Sequence, residues 1–380
     1  MKKLVLVILD GAAESGKSAY AAAKKPYIDM LAANSSCGLW TGVRSATYNK
    51  RSLSSIATLE ILGYPASAEP GRGYLEALSL GSVPKGAVCL RGDFATIKAG
   101  NIIDRRGGRD ETGLDEIVHD INRELPSIGG IKTKICRTLG HRFVLILTGN
   151  GLSKHVTDGD ISEKPEKIRA VQKGAEKTAA VLNEFVDKAA QLLASHPVNA
   201  RRKMPANFLL LRSAGTQQKV ESFRKKYGMN ACAITTVPIV VGICRYVGID
   251  LIDAPGSQIE GDLFVRVRKA IDALEKYDVV ILHINGADTY AHDKDFVSKV
   301  KYIERIDSEV FSQLTKLRHI NMAVISDHIT SSATGEHEFG PVPFLVYGCD
   351  EDHEGGRFDE KSCRDSFQTD NPMKKIMSVM

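Results

Sequence analysis

Three apolar runs of strand length, far apart in the chain, each stop at a polar cluster that contains a carboxylate. Residues 4–9 (LVLVIL) run into Asp10 and Gly11, residues 277–284 (YDVVILHI) into NGADTYAHDKD, and residues 322–325 into Ser326, Asp327 and His328. Runs without polar alternation predict strands buried on both faces, the mark of a parallel sheet covered by helices. Further strand-like segments fall at 231–240, 251–254 and 344–347, and helical patterns at 26–39, 262–276 and 296–317. Another helix opens at Ser54 and Ser55, carries Ile56, Leu59 and Leu62 on one face, and stops at Gly63. The middle of the chain reads differently: strands at 88–97, 101–104, 141–147 and 207–211 alternate with helices at 114–125 and 166–194. The whole predicts an α/β protein in which residues 1–84 and 228–380 form a mostly parallel sheet flanked by helices. A smaller α+β domain, residues 85–227, is inserted into it.

Composition narrows the partners more than the fold. The 380 residues leave room for two domains with a buried core, and 43% apolar with 26% charged residues is the balance of a globular protein. Net charge is +5, with basic residues spread among acidic ones and no nucleic-acid motif. An anionic small substrate fits this mild bias as well as any partner, and neither nucleic acid nor membrane is expected. The opening MKK and apolar run resemble a leader peptide, but Asp10 breaks the run and no small-residue cleavage site follows, so a first strand is the reading. No run approaches the roughly 20 apolar residues of a membrane span. Seven cysteines (Cys37, Cys89, Cys136, Cys232, Cys244, Cys349 and Cys363) are scattered, odd in number and mostly within apolar runs. That predicts buried free thiols in a reducing compartment, the cytoplasm.

The strand ends carry the chemistry. Asp327 and His328 stand side by side, with His337 nine residues further on in a small, polar loop. Asp288 and His292 are four apart and share a face if their segment is helical. Carboxylate and neutral imidazole are ligands of divalent transition metals, and the carboxyl ends of strands in an open α/β sheet are where ligand sites form. A competing motif lies at residues 11–18, GAAESGKS, which matches the phosphate-cradling G-x-x-x-x-G-K-[ST] and follows a buried strand. Under that reading the chain would bind nucleotide, with residues 324–327 supplying the strand and Asp that assist magnesium. Asp10, the two Asp/His pairs and His337 have no role in such a site. Ser54 reads either as a helix N-cap or as a nucleophile whose hydroxyl a base or metal must activate.

Taken in order, Asp10-Gly11, Ser54 before Leu59-x-Ile61-Leu62-Gly63-Tyr64, Gly71-Arg72-Gly73-x-Leu75-Glu76-Ala77-Leu78 and Asp104-Arg105-Arg106-x-Gly108-Arg109 form a motif series. It continues through Asp288-x3-His292 and Asp327-His328 to His337-x3-Pro341-Val342-Pro343. This series resembles the archaeal-type 2,3-bisphosphoglycerate-independent phosphoglycerate mutases of the alkaline phosphatase superfamily. The resemblance implies an alkaline-phosphatase-like fold and a two-metal phosphoryl-transfer site. Asp288, His292 and His337 would hold one metal and Asp327 and His328 the other, with Asp10 and Ser54 on or near the second. It implies two divalent ions, manganese first and magnesium, zinc or cobalt as alternatives, and no bisphosphoglycerate. Ser54 would take the phosphoryl group of 3-phosphoglycerate and return it to the 2-hydroxyl, a step of glycolysis and gluconeogenesis. The family carries a Gly-Lys-Thr after its first strand without holding nucleotide there, so Gly16-Lys17-Ser18 becomes ordinary helix entry.

Guanidinium groups bind carboxylate and phosphate bidentately, which makes Arg91, Arg105, Arg106, Arg109, Arg142 and Arg212 candidates for the substrate, Arg105 and Arg109 foremost. His155 is a further candidate contact. The sequence also departs from the family. Ser52-Leu53-Ser54-Ser55 stands where the family has Pro-Gly-Ser-Asp, Arg212-Ser213-Ala214-Gly215 where it has Arg-Gly-x-Gly, and Asp160-Ile161-Ser162 where it has Asp-Pro-His. Val241 replaces a Lys. These changes keep three alternatives open: a metal-dependent phosphatase, a mutase of another phosphorylated acid, or a member that binds without turnover. Oligomeric state is not encoded in any motif.

Overall fold

The computed structural model describes residues 3–43, 53–253, 261–348 and 356–380. It divides into two compact units, Met1–Glu69 with Val220–Met380, and Pro70–Lys219. The sequence reading sets its boundaries at 84/85 and 227/228, not at 69/70 and 219/220.

The first unit is built on an eight-stranded sheet. Its order is Asp250–Ile252, Ala231–Ile234, Val279–Ile284, Lys3–Leu9, Ile320–Ser326, Val342–Tyr347, Ser36–Trp40 and Gln368–Thr369. The first five run parallel to one another. Val342–Tyr347 is antiparallel to both of its neighbours. Every residue from Leu4 to Leu9 and from Val279 to Ile284 is buried, as unbroken apolar runs require when helices cover both faces of a sheet. The helix Leu53–Ile61 ends as its sequence predicts. Gly63 takes φ 77°, its N–H reaches Glu60 O at 2.9 Å, and the N–H of Tyr64 reaches Leu59 O at 2.9 Å, which together close a Schellman motif.

Four segments differ from the sequence reading. Residues 26–39 are a helix only over Pro26–Ala33, and Ser36–Trp40 is a buried strand whose small polar residues hide its pairing with Val342–Tyr347. That helix lacks a cap of its own, and Asp307 supplies one from elsewhere by accepting the N–H of Ile28 at 2.8 Å and of Tyr27 at 3.2 Å. The strand expected over 231–240 stops at Ile234, because Pro238 opens the helix Pro238–Val247. The helix expected over 296–317 is α-helical over Phe296–Ile306 and widens to a π-helix at Asp307–Phe311. The helix expected over 166–194 begins at Glu176.

In the second unit Val88–Lys98 is the spine of a six-stranded antiparallel sheet. Arg142–Thr148 pairs one of its edges and Phe208–Thr216 the other. Ile131–Arg137, whose alternating IKTKICR the sequence reading passed over, extends the sheet beyond Arg142–Thr148. Leu114, Ile117 and Ile121 of the helix Leu114–Glu124 share one face and join Leu182, Phe185, Ala189 and Leu193 in the core.

Six of the seven cysteines are free thiols, five of them buried and Cys136 half-buried; Cys349 lies outside the described residues. Among the described residues no helix is long and apolar enough to cross a membrane.

Candidate active site

Register brings the three strand ends together. Leu9 lies opposite both Ile284 and Ser326, so Asp10, Asn285 and Asp327 leave the sheet side by side at its carboxyl edge. Gly11 makes the turn with φ 58°, and a Cβ there would lie 2.5 Å from both Asp288 Oδ1 and Thr330 Oγ1, so only glycine permits this approach. Asp327 Oδ1 accepts the N–H groups of Gly11 and His328, each at 2.9 Å. Its Oδ2 is buried and has no hydrogen-bond partner.

Two side-chain groups face each other across this edge. The helix Gly286–His292 presents Asp288 and His292 on one face, with Asp288 Oδ2 3.3 Å from His292 Nε2. A two-stranded hairpin, Ile329–Thr330 with His337–Glu338, pairs Thr330 with His337 and folds that imidazole back over the site. His337 Nε2 lies 3.4 Å from Asp288 Oδ1 and 3.1 Å from His292 Nε2. In the second group His328 Nε2 lies 3.4 Å from Asp10 Oδ1 and 3.5 Å from Asp327 Oδ2. The two groups adjoin: the His328 and His337 rings are 4.2 Å apart, centroid to centroid. Ser54 is not an N-cap here; it is the second residue of the helix Leu53–Ile61, half-buried, with Oγ 3.1 Å from His328 Nε2. Ser52 lies outside the described residues. All seven predicted metal-side residues therefore converge on one edge of one sheet.

Burial raises the Asp288 carboxyl, but the His292 and His337 hydrogen bonds overcome it and hold the group well below the usual carboxylate range. Burial pushes Asp327 up to about 7, with the Asp288 charge adding to the effect against the Gly11 hydrogen bond. Burial, aided by His337, holds His328 well below the usual imidazole range and therefore neutral. His292 is raised by its Asp288 hydrogen bond. Its Nδ1 donates to Gly335 O at 2.7 Å, as metal-bound imidazoles do to backbone carbonyls, and Nε2 is left to face Asp288.

Sequence reasoning missed the groups that hold these side chains. Thr330, fully buried, donates from Oγ1 to Asp288 Oδ1 at 2.7 Å and lies 3.1 Å from His328 Nδ1. Its single proton is used, so His328 Nδ1–H is the donor of the second bond, and the Nε2 lone pair points at Ser54. One hydroxyl thus ties the two groups together. Beneath the hairpin, Lys299 Nζ pairs with Glu14 Oε1 at 2.8 Å and also donates to Thr330 O at 2.9 Å, while Glu14 accepts the Ser332 N–H at 3.1 Å. Both charges are buried. No spacing rule marks Thr330, Glu14 or Lys299, because each is ordinary in its local sequence. Thr330→Val keeps the shape and removes the hydroxyl, so divalent-ion affinity is expected to fall about 10- to 100-fold. Thr330→Ser should restore most of it, and calorimetric titration with manganese reads the difference.

In the second unit the predicted substrate residues separate into two sets. Arg91 is buried with Nη1 3.2 Å from Glu76 Oε1, and Arg212 pairs with Asp93 and, at 2.5 Å, with Asp160 Oδ2. Arg105 donates to Asp160 O at 2.8 Å and to Ser162 O, which ties it to the 160–162 loop. Arg109 and His155 are exposed. Ser213, which stands where the resemblance gives glycine, keeps φ 53° and donates its N–H to Asp158 Oδ1 at 2.7 Å. Val241 is half-buried on the helix Pro238–Val247.

The 11–18 loop does not form a phosphate cradle. Its helix, Ala19–Ala22, is a single turn capped by Ser18, and the Glu360 carboxylate already accepts from the Glu14 N–H at 3.0 Å and from the Ser18 hydroxyl. A carboxylate fills the position an anion would need.

Residues 32–199 match the profile of the PhosphMutase family, described as 2,3-bisphosphoglycerate-independent phosphoglycerate mutase. A mutase of that name from Picrophilus torridus is 34% identical, over 91% of this chain and 88% of its own length. One from Pyrobaculum aerophilum is 35% identical over 96% of this chain and 93% of its own. Among solved structures, the cofactor-independent phosphoglycerate mutase of Thermoplasma acidophilum superposes with TM-score 0.69 at 28% identity, covering all of both chains. A protein from Pyrococcus horikoshii superposes with TM-score 0.80 at 26% identity, over 100% of this chain and 97% of its own. With a third of its residues shared along more than nine-tenths of its length, the chain belongs to the 2,3-bisphosphoglycerate-independent phosphoglycerate mutase family.

Proposed function

We propose that this chain interconverts 3-phosphoglycerate and 2-phosphoglycerate through a phosphoserine at Ser54, with two divalent cations and no bisphosphoglycerate. The observation that carries the reading is the placement of the Ser54 hydroxyl, 3.1 Å from His328 Nε2, beside two adjoining sets of carboxylates and imidazoles. Those sets fit cations. Their carboxylate–imidazole pairs lie 3.3 to 3.5 Å apart, at the long limit of hydrogen bonding. The separation matches the roughly 3.4 Å expected between two atoms each about 2.1 Å from a tetrahedral metal. The orphaned Asp327 Oδ2 fits the same explanation.

Asp288, His292 and His337 would hold one ion, and Asp10, Asp327, His328 and Ser54 the other; manganese suits this mixture of oxygen and nitrogen, with magnesium, zinc and cobalt as competitors. Bound there, the pair supplies positive charge that lowers the serine hydroxyl pKa and neutralises the transferring group. Ser54 Oγ attacks phosphorus, the bond from phosphorus to the 3-oxygen of glycerate breaks, and the serine proton ends on that oxygen. The 2-hydroxyl of the retained glycerate then takes the phosphoryl group, and its proton restores Ser54. The first-turn N–H groups of the helix Leu53–Ile61 favour the anionic phosphoserine. Arg105, Arg109 and His155 are the groups proposed to meet the substrate acid or phosphate. Arg91 and Arg212, which pair with carboxylates of the chain itself, are proposed beside them as further substrate groups.

The test is a coupled assay of the purified chain with 3-phosphoglycerate, after chelation and after adding back manganese. Formation of 2-phosphoglycerate that requires the metal is the expected result. Release of inorganic phosphate without 2-phosphoglycerate would make the chain a phosphatase.

A further inference from the structure

Cys37 and Cys363 stand 326 positions apart in the sequence, yet their Sγ atoms lie 2.9 Å from each other. Both are buried free thiols. Neither belongs to a motif that the family resemblance rests on, and neither takes part in the reaction proposed above. Sulfurs at that separation need to move only about 1 Å to reach the bonded distance of a disulfide. The Cys37 hydrogen bond, with burial adding to it, holds the Cys363 thiol well above the usual thiol range. Cys363 therefore keeps its proton and donates it, and Cys37 is the sulfur left with a free lone pair.

The two thiols join a strand to the segment that covers it. Ser36–Trp40 pairs on one side with Val342–Tyr347 and on the other with only the two residues Gln368–Thr369. Residues 358–367 before that short strand carry turns and no longer element. They are pinned by Phe358, whose ring meets that of Tyr20 edge-on at 5.1 Å, and by Phe367 O, which accepts the Leu39 N–H at 2.9 Å. A ladder this short opens locally at small cost. The same segment carries Glu360, which accepts the Glu14 N–H at 3.0 Å, and Glu14 is the partner of Lys299 beneath the hairpin. We infer that Cys37 and Cys363 are a redox pair, which a peroxide converts into a disulfide stapling residues 358–369 to the strand Ser36–Trp40. The Cys37 sulfur attacks one peroxide oxygen, the O–O bond breaks, and water leaves with a sulfenic acid on Cys37. The Cys363 sulfur then attacks that sulfur, the S–O bond breaks, and the Cys363 proton leaves with the hydroxide as a second water. Two thiols lose two electrons, and one hydrogen peroxide becomes two waters. Burial shelters the product from bulky thiol reductants, so it persists until the segment opens.

The test treats the reduced full chain with hydrogen peroxide, unfolds it, caps the remaining thiols by alkylation and maps the peptides by mass spectrometry. A linked peptide joining Cys37 to Cys363 is expected, two hydrogens lighter than the sum of its parts. The cross-link spans most of the chain, where the chain-entropy effect of a disulfide is large, so the unfolding midpoint of the peroxide-treated protein should rise on the order of 10 °C. Dithiothreitol added to the unfolded protein should abolish that gain on refolding. Cys37→Ala and Cys363→Ala should each show no peroxide-dependent rise, and the wild-type map gives the answer if neither variant folds. Both cysteines recovered alkylated, or either recovered as sulfinic acid without the linked peptide, would overturn the redox pair. A linked peptide with an unchanged midpoint would overturn the staple.

Discussion

Ser54→Ala is expected to remove mutase turnover, by at least about 10⁴-fold, because no other hydroxyl among the described residues stands beside His328 Nε2. Thr330 reaches only the other nitrogen of that ring, and its proton is committed to Asp288. Loss of the attacking atom differs in kind from loss of a supporting contact. A nucleophile cannot be replaced by binding energy, whereas a weakened ligand set is partly rescued by more metal. The variant should keep its circular dichroism and bind 3-phosphoglycerate, but incubation with labelled substrate should leave no phosphoserine. Turnover within about tenfold of the wild type would exclude the covalent route.

Glu76→Gln should cost the second unit about 3–5 kcal/mol, since it leaves the buried Arg91 guanidinium without its carboxylate. For a unit of this size that is a fall of roughly 10 °C in its melting temperature. Burial alone would raise the Glu76 carboxyl; the guanidinium groups of Arg91, Arg72 and Arg142 overcome it and hold the group at about 2, against an ordinary 4.5. Because the folded value is the lower one, the stabilisation is complete above the unfolded value near 4.5 and is lost as pH falls toward 2. Thermal unfolding of the wild type followed from pH 6 to pH 2.5 should show this loss. The variant, already without the charge, should show a shallower decline. A Glu76→Gln protein as stable as the wild type would mean that the guanidinium cluster carries no net strain once its carboxylate is gone.

Much of the carboxylate–imidazole edge was legible in the sequence because Asp10, Asp288 and Asp327 each follow an apolar strand, and parallel strands in register bring their ends together. Asp10, Asp288 and Asp327 could be aligned from that fact alone. His283, whose Nε2 lies 3.6 Å from Asp10 Oδ2, was hidden by the same logic: inside an apolar run it reads as packing, and only the register of Val279–Ile284 against Lys3–Leu9 turns its ring toward Asp10. Ser36–Trp40 escaped because a short strand of small residues carries no period, and Pro238 cut an apolar stretch that hydropathy treated as one element. A motif position says that a guanidinium is needed, not which carboxylates of the chain it also meets, such as Glu76 for Arg91 and Asp93 for Arg212.

The proposed ligands come from both ends of a long chain: Asp10 and Ser54 early, Asp288 through His337 late, with the whole of Pro70–Lys219 between them. A ribosome must therefore release the chain through His328 before the pocket for one proposed ion is complete, and through His337 before the pocket for the other is. An ion bound there would arrive as a final latch and could not template the nascent polypeptide. Cellular shortage of the ion would then leave finished, folded, unarmed protein, ready to be switched on when supply returns.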